Sequence, residues 1–169
     1  MRRRTAVLVA GLLALLLAAP AANAASRGGR TVLEFDGMVG VAEPFTGATN
    51  AIRGVPGGGL PWDIRSAKGE LRGDGRLEID VRGLVLARRA PVPPERQGTN
   101  PSTSFMAIVS CVTSQDGMAT TVNVSSKLVP ATARGDSKIR DTVQLPSPCL
   151  APIVFVASPA GAWFAATGS

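Results

Sequence analysis

The chain contains no histidine, and that absence removes most hydrolytic chemistry before any motif is sought. A Ser-His or Cys-His nucleophile pair, an imidazole general base and an imidazole metal ligand all need the missing side chain. Carboxylate and amine chemistry remain. A serine–lysine arrangement would have to use Lys68, Lys127 or Lys138, yet no S-x-x-K spacing occurs. Ser66-Ala67-Lys68 and Ser125-Ser126-Lys127 read instead as strand-edge composition. Two carboxylates can cleave a glycosidic bond without histidine, one donating a proton and the other acting as nucleophile or base. Glu34, Asp36, Glu43 and Asp63 are the candidates, because they lie in or near an irregular first segment. Solvated surface acids are the default against which that pairing must be weighed. Asp74 and Asp116 each sit in an isolated Asp-Gly turn, without the dense acidic loop that calcium uses. No metal site and no cofactor is expected.

The stretch "GVPGGGLPW", Gly54 to Trp62, resembles a phosphate-cradling loop at first sight. A P-loop needs its glycines between a strand and a helix, followed by Lys and Ser or Thr. Leu60, Pro61 and Trp62 follow here, so a phosphate role is not expected. The glycines should let the backbone take positive φ in a tight loop, with Pro61 stiffening the approach to Trp62. Trp62 then has two possible roles, a plug at the end of the core or an exposed stacking platform.

Two cysteines, Cys111 and Cys149, are the only thiols. An even count in an exported chain favours a disulfide, and with no histidine nearby a metal or redox pair is disfavoured. Export is what the N-terminus implies. Arg2, Arg3 and Arg4 precede the uncharged apolar run Thr5 to Ala19, Pro20 breaks it, and Ala22-Asn23-Ala24 supplies a small-x-small cleavage site. That is the pattern of a secretory signal peptide over residues 1–24. The run is shorter than the roughly 20 apolar residues that cross a bilayer, and no second apolar span follows, so no membrane span is expected after processing. Removing residues 1–24 takes three arginines with it and lowers the formal net charge from +6 to +3. Residues 25–169 then form a single domain. Nucleic-acid binders show a basic stripe with aromatic platforms. With no tyrosine and two tryptophans, nucleic acid is not an expected partner.

The elements that must position these residues read as strands and turns. Leu77, Ile79 and Val81 alternate with Glu78, Asp80 and Arg82, a period of two with one buried face. Asp74-Gly75 between Leu71 and Leu77 signals a hairpin, and Asp116-Gly117 joins Ser104–Ser114 to Ala119–Ser126 in the same way. Ile139, Val143 and Leu145 alternate with Arg140, Thr142 and Gln144. The continuous apolar run Ala151–Ser158 suits a strand buried on both faces, and Pro159-Ala160-Gly161 turns it into Ala162–Thr167. An opening strand over Thr31–Val41 completes about eight. The expected fold is all-β, an antiparallel sandwich or barrel. Two segments lack strand pattern, 42–62 and the proline-rich 87–101, and loops on a rigid β scaffold are where binding surfaces lie.

The quoted segments "PFTGATNAIRGVPGGGLPW", "GGRTVLEFDGMVG", "IVSCVT" and "CLAPIVFVASPAGAWFAATG" resemble a group of uncharacterised exported β-rich proteins of GC-rich bacteria. That resemblance covers most of the chain and implies no activity or site. "GDGRLEIDVRGLVL" is more weakly similar to the strand pair of chordin-type β domains. Those domains usually carry histidines, and this chain has none.

The expected function is a secreted, non-catalytic binding or structural β domain acting through its irregular segments, with Trp62, Arg88, Arg89 and Arg96 as contacts. Arginine pairs with carboxylates or stacks on rings, so an extracellular protein or glycan surface is the expected partner. Two alternatives stay open: a carboxylate-based hydrolase, and a small-ligand carrier using a barrel interior. Intact mass of the exported protein should correspond to a chain beginning at Ala25; a retained N-terminus would contradict the leader assignment.

Overall fold

The computed structural model describes residues 29–168; the leader expected over 1–24 lies outside the described residues. Twelve strands follow in order: β1 (Thr31–Phe35), β2 (Val39–Gly40), β3 (Trp62–Asp63), β4 (Ser66–Arg72), β5 (Arg76–Arg82), β6 (Val85–Leu86), β7 (Ser104–Gln115), β8 (Met118–Ser125), β9 (Val129–Pro130), β10 (Ser137–Thr142), β11 (Leu150–Ala157) and β12 (Trp163–Ala166). They form a four-stranded sheet in the order β1-β4-β5-β10, a six-stranded sheet in the order β2-β12-β11-β7-β8 with β9 paired to β7, and the pair β3-β6. Every strand pairing is antiparallel. The two main sheets stay separate and pack together around one core, so the architecture is a sandwich rather than a closed barrel. The eight longer strands match the expected pattern; β2, β3, β6 and β9 have two residues each. The opening strand expected over Thr31–Val41 is broken. Its first half, β1, joins the four-stranded sheet and its second half, β2, the six-stranded one, so the chain crosses between sheets at Asp36–Met38.

The four-stranded sheet follows its alternation. Leu77, Ile79 and Val81 are buried, and across the hairpin Leu71 faces Leu77 while Ala67 faces Val81. The Asp74-Gly75 turn is fixed by both of its residues. Gly75 has φ +88 and a Cβ there would meet the Val143 carbonyl, so no other residue fits. The Asp74 carboxylate accepts the Arg76 N–H at 3.1 Å, the Arg76 guanidinium at 2.8 Å and the Gly29 N–H at 3.2 Å. The Arg76 backbone and side-chain donors, with the Gly29 amide, hold the Asp74 carboxyl down to about 2.

The six-stranded sheet is buried on both faces along its centre. In β7, Phe105, Ala107, Val109 and Cys111 point one way and Ile108 and Ser110 the other, and all are buried. In β11, the run Val154–Ala157 is buried throughout, as continuous apolarity implies. The Cys111–Cys149 disulfide, with Cα atoms 5.0 Å apart, ties β7 to the chain entering β11. A bonded pair of this kind is compatible with an oxidising extracellular environment. Among the described residues no helix is long and apolar enough to cross a membrane.

Cross-linking positions 38 apart removes loop entropy from the unfolded chain worth about 4 kcal/mol. Replacing both cysteines with alanine should therefore lower the unfolding free energy by about that amount in urea denaturation. An unchanged denaturation midpoint would contradict a structural role for the bridge.

Candidate functional site

The segment 42–62 divides: Glu43–Phe45 and Ala48–Ala51 are exposed, as expected of a loop, whereas most of the stretch from Val55 to Trp62 packs inward. Pro56 and Gly58 run beside β12: the Trp163 N–H donates to the Pro56 carbonyl and the Gly58 N–H to the Trp163 carbonyl, both at 2.8 Å. Val55, Gly57, Gly58, Pro61 and Trp62 are buried. Trp62 is only 4% exposed and stacks on Phe164 with ring centroids 3.8 Å apart. It is a plug, and it offers no platform to a ligand. The glycines have a different purpose from the expected one. Of those in the quoted stretch only Gly54, at φ +79, is left-handed. A Cβ on Gly57 would run into the Phe45 carbonyl, and one on Gly58 would press on the Phe164 ring. Close approach, not turn geometry, requires glycine there.

The arginines of the second irregular segment are placed differently. Arg88, Arg89 and Arg96 are all exposed. Arg96 ends a short 3-10 turn, Pro94–Arg96, and does not line the cleft that Arg88 enters. That cleft, about 470 Å³, is lined by Asp63, Arg65, Gly83, Arg88, Gly98, Arg134 and Asp136 among others. Sheet register assembles it. Val81 pairs with Ala67 on one side and with Ser137 on the other, so the residues just beyond those pairs, Arg65, Gly83 and Asp136, emerge at one end of the sheet. The β3-β6 pair adds Asp63 opposite Val85. Loop 87–101 is bound to β6 through Leu86 N–H to the Thr99 carbonyl at 2.9 Å and Gly98 N–H to the Leu86 carbonyl at 2.8 Å. The Arg88 guanidinium lies against Gly98, where φ is +69 and a Cβ would collide with it.

The charges of the cleft are unevenly matched. Asp63 accepts Arg89 Nη1 at 2.6 Å and the Arg88 N–H at 3.3 Å. Asp136 accepts the Gly83 N–H at 2.9 Å and lies 3.5 Å from Arg65. Both aspartates are thus engaged, whereas Arg88 and Arg134 have no carboxylate partner among the described residues. Arg65, Arg134 and Asp136 carried no recognisable signal in the sequence, because only strand register places position 65 beside position 136.

The candidate hydrolytic acids scatter. Glu43 accepts the Thr46 hydroxyl and Asp63 serves the arginine cleft. Glu34 and Asp36 do meet other carboxylates, on a 620 Å³ groove across the outer face of the four-stranded sheet. There Glu34, Glu70 and Glu78 lie directly opposite one another, with Arg140 completing the row. Like charges placed so are mutually destabilising, and neighbouring cations relieve them. Arg72 is 3.2 Å from Glu70, Arg140 3.5 Å from Glu78, Lys68 3.3 Å from Asp36 and Arg82 2.6 Å from Asp80. The Thr31 hydroxyl bond, aided by Arg72, lowers the Glu70 pKa. A glutamate held ionised cannot serve as the proton donor that glycoside cleavage needs. The groove is a charge-stitched sheet surface. Among the described residues no group of acids or cysteines is arranged to hold a metal.

No protein-family profile matches the chain, and neither a curated protein nor a solved structure is significantly similar to it.

A carbon-detected titration should place the Glu70 midpoint below the ordinary glutamate value. Thr31→Ala should raise it, since the lost hydroxyl favoured the charged form. A midpoint above the ordinary value would reopen the groove as a general-acid site.

Proposed function

We propose that the chain is an exported, non-catalytic binding domain that takes an anionic group of an extracellular ligand, a carboxylate or a sulfate, in the arginine cleft. The observation that carries this reading is the pair Arg88 and Arg134, which face one cleft with no acid partner while Asp63 and Asp136 are already engaged. A guanidinium presents a planar fork of N–H donors matched to two oxygens of a carboxylate or sulfate. Asp63 and Asp136 act as braces, setting Arg89 and Arg65 at the rim. Export is supported by the leader pattern of residues 1–24 and by the disulfide. A non-catalytic role is supported by the lack of histidine and by the cation pairs at Asp36, Glu70, Asp80 and Glu78 in the carboxylate groove.

Magnitudes fix what kind of ligand suits such a site. Exposed ion pairs are worth about 0.2–1 kcal/mol each, so one sugar acid held by two arginines would bind no tighter than roughly tens of millimolar. A repeating acidic polymer gains from effective concentration, because each release is followed by recapture of a neighbouring group. Isothermal titration of the disulfide-bonded protein with an oligogalacturonate should give binding that weakens as salt rises. A neutral dextran of equal length should give none. Replacing Arg88 and Arg134 together with alanine should weaken binding about tenfold or more, with unchanged thermal stability. Equal binding of the neutral polymer, or an unchanged affinity of the double variant, would contradict the proposal.

A further inference from the structure

The free edge of β8 points to a second surface, independent of the arginine cleft. β8 is the outermost strand of the six-stranded sheet and pairs with β7 in unbroken register from Gln115↔Met118 to Ile108↔Ser125. Among the described residues its backbone makes no hydrogen bond to any main chain other than β7. An open edge of this kind is a template for another strand, and proteins normally blunt it with charges, proline, bulges or short length. The other edges here are blunted. β1 carries a register shift between Thr31 and Leu33, β10 alternates Lys138 and Arg140 outward, and β2 has two residues. β8 is eight residues long with no charge, no proline and no bulge.

We propose that β8 pairs antiparallel with β8 of a second copy of this chain, joining two six-stranded sheets across a two-fold axis. Charge placement selects a second copy over a foreign strand. The uncharged run is bounded by Asp116 on one side and Lys127 on the other. Both are exposed; Asp116 forms no ion pair among the described residues, and Lys127 lies near Asp141, which accepts the Lys127 N–H at 2.7 Å, without a direct side-chain pair. Antiparallel pairing about the middle of the strand brings the Asp116 end of each copy alongside the Lys127 end of the other, so unlike charges approach at both ends. A two-fold axis normal to the sheet keeps each face on its own side, which centres the pairing on Thr121 or on Val122. Met118, 71% exposed at one end, then packs near the end of the opposite strand. A single paired edge covers less than the roughly 1,200 Å² of standard stable interfaces, so the association is concentration-dependent.

Sedimentation velocity of the disulfide-bonded protein over a concentration series tests this. The expected result is a monomer–dimer equilibrium. Thr121 is exposed, and in either register two copies of residue 121 lie opposite or diagonal, within about 8 Å. Thr121→Lys should therefore weaken dimerisation about tenfold or more, and so should Thr121→Glu. Mixing the two variants should restore it as a heterodimer. Ser125→Lys provides a second charged edge variant should Thr121→Lys disturb folding by circular dichroism. Lys127→Glu should also weaken the dimer, by setting two acids together. A monomer at every concentration would overturn the proposal, as would a dimer unaffected by these charges or a mixture that fails to reassociate.

Discussion

The strand β7 buries side chains on both of its faces, and a strand so placed must be covered twice. The packed sheets share one core, but the side of the six-stranded sheet that carries Trp163 is covered by irregular chain. Residues 52–55 lie over that side, with Arg53 Nη1 donating to the Ser110 and Ala151 carbonyls at 3.2 and 2.8 Å and Asn123 Nδ2 donating to the Arg53 carbonyl at 2.9 Å, while Pro56–Gly58 run beside β12 as a bridged edge. The glycines at 57 and 58 answer close approaches on that edge, one to the Phe45 carbonyl and the other to the Phe164 ring. Trp62 packs on the opposite face, the one that carries Phe105. Its ring meets Phe164, and Phe105 approaches the same ring at 6.0 Å, edge on. Such a contact adds about 0.5–1.5 kcal/mol beyond simple burial.

With Trp62 withdrawn into the core, its ring offers no stacking surface, and the recognition proposed above rests on charge. Charge is distributed in two patterns. On the outer face of the four-stranded sheet, a row of facing glutamates is offset by lysines and arginines, some on the same strand and some on the next. At the end of that sheet this pairing stops, because the chain leaves the strands at Arg65, Gly83 and Asp136. There the backbone amide of Gly83 takes part of an aspartate's bonding capacity. Cations are left without partners where regular pairing gives way to loops.

Much of the scaffold was legible in the sequence for a local reason. Leu77, Ile79 and Val81 announce a half-buried strand by period alone, and Asp-Gly dipeptides announce the turns that join strands. Two-residue strands such as β3 and β6 lie below any periodicity window. The break at Asp36–Met38 is a tertiary event that an apparently continuous strand cannot reveal. At the site, Arg88 and Arg89 stood out as adjacent like charges, but which of them is engaged depends on Asp63, set across from Val85 by strand pairing. Trp62 was ambiguous because nothing local distinguishes a plug from a platform. Its partner, Phe164, is a hundred residues away.

The account is tested most directly by mapping backbone amide shifts of isotope-labelled, disulfide-bonded protein during titration with an oligogalacturonate. Binding in the arginine cleft predicts that the largest changes fall on Gly83, Arg88, Gly98 and Arg134, with the buried amides of Gly57, Gly58 and Trp62 unmoved. Changes centred on the outer face of β4, β5 and β10, or an absence of change around Gly98 and Arg134 at saturating ligand, would contradict it.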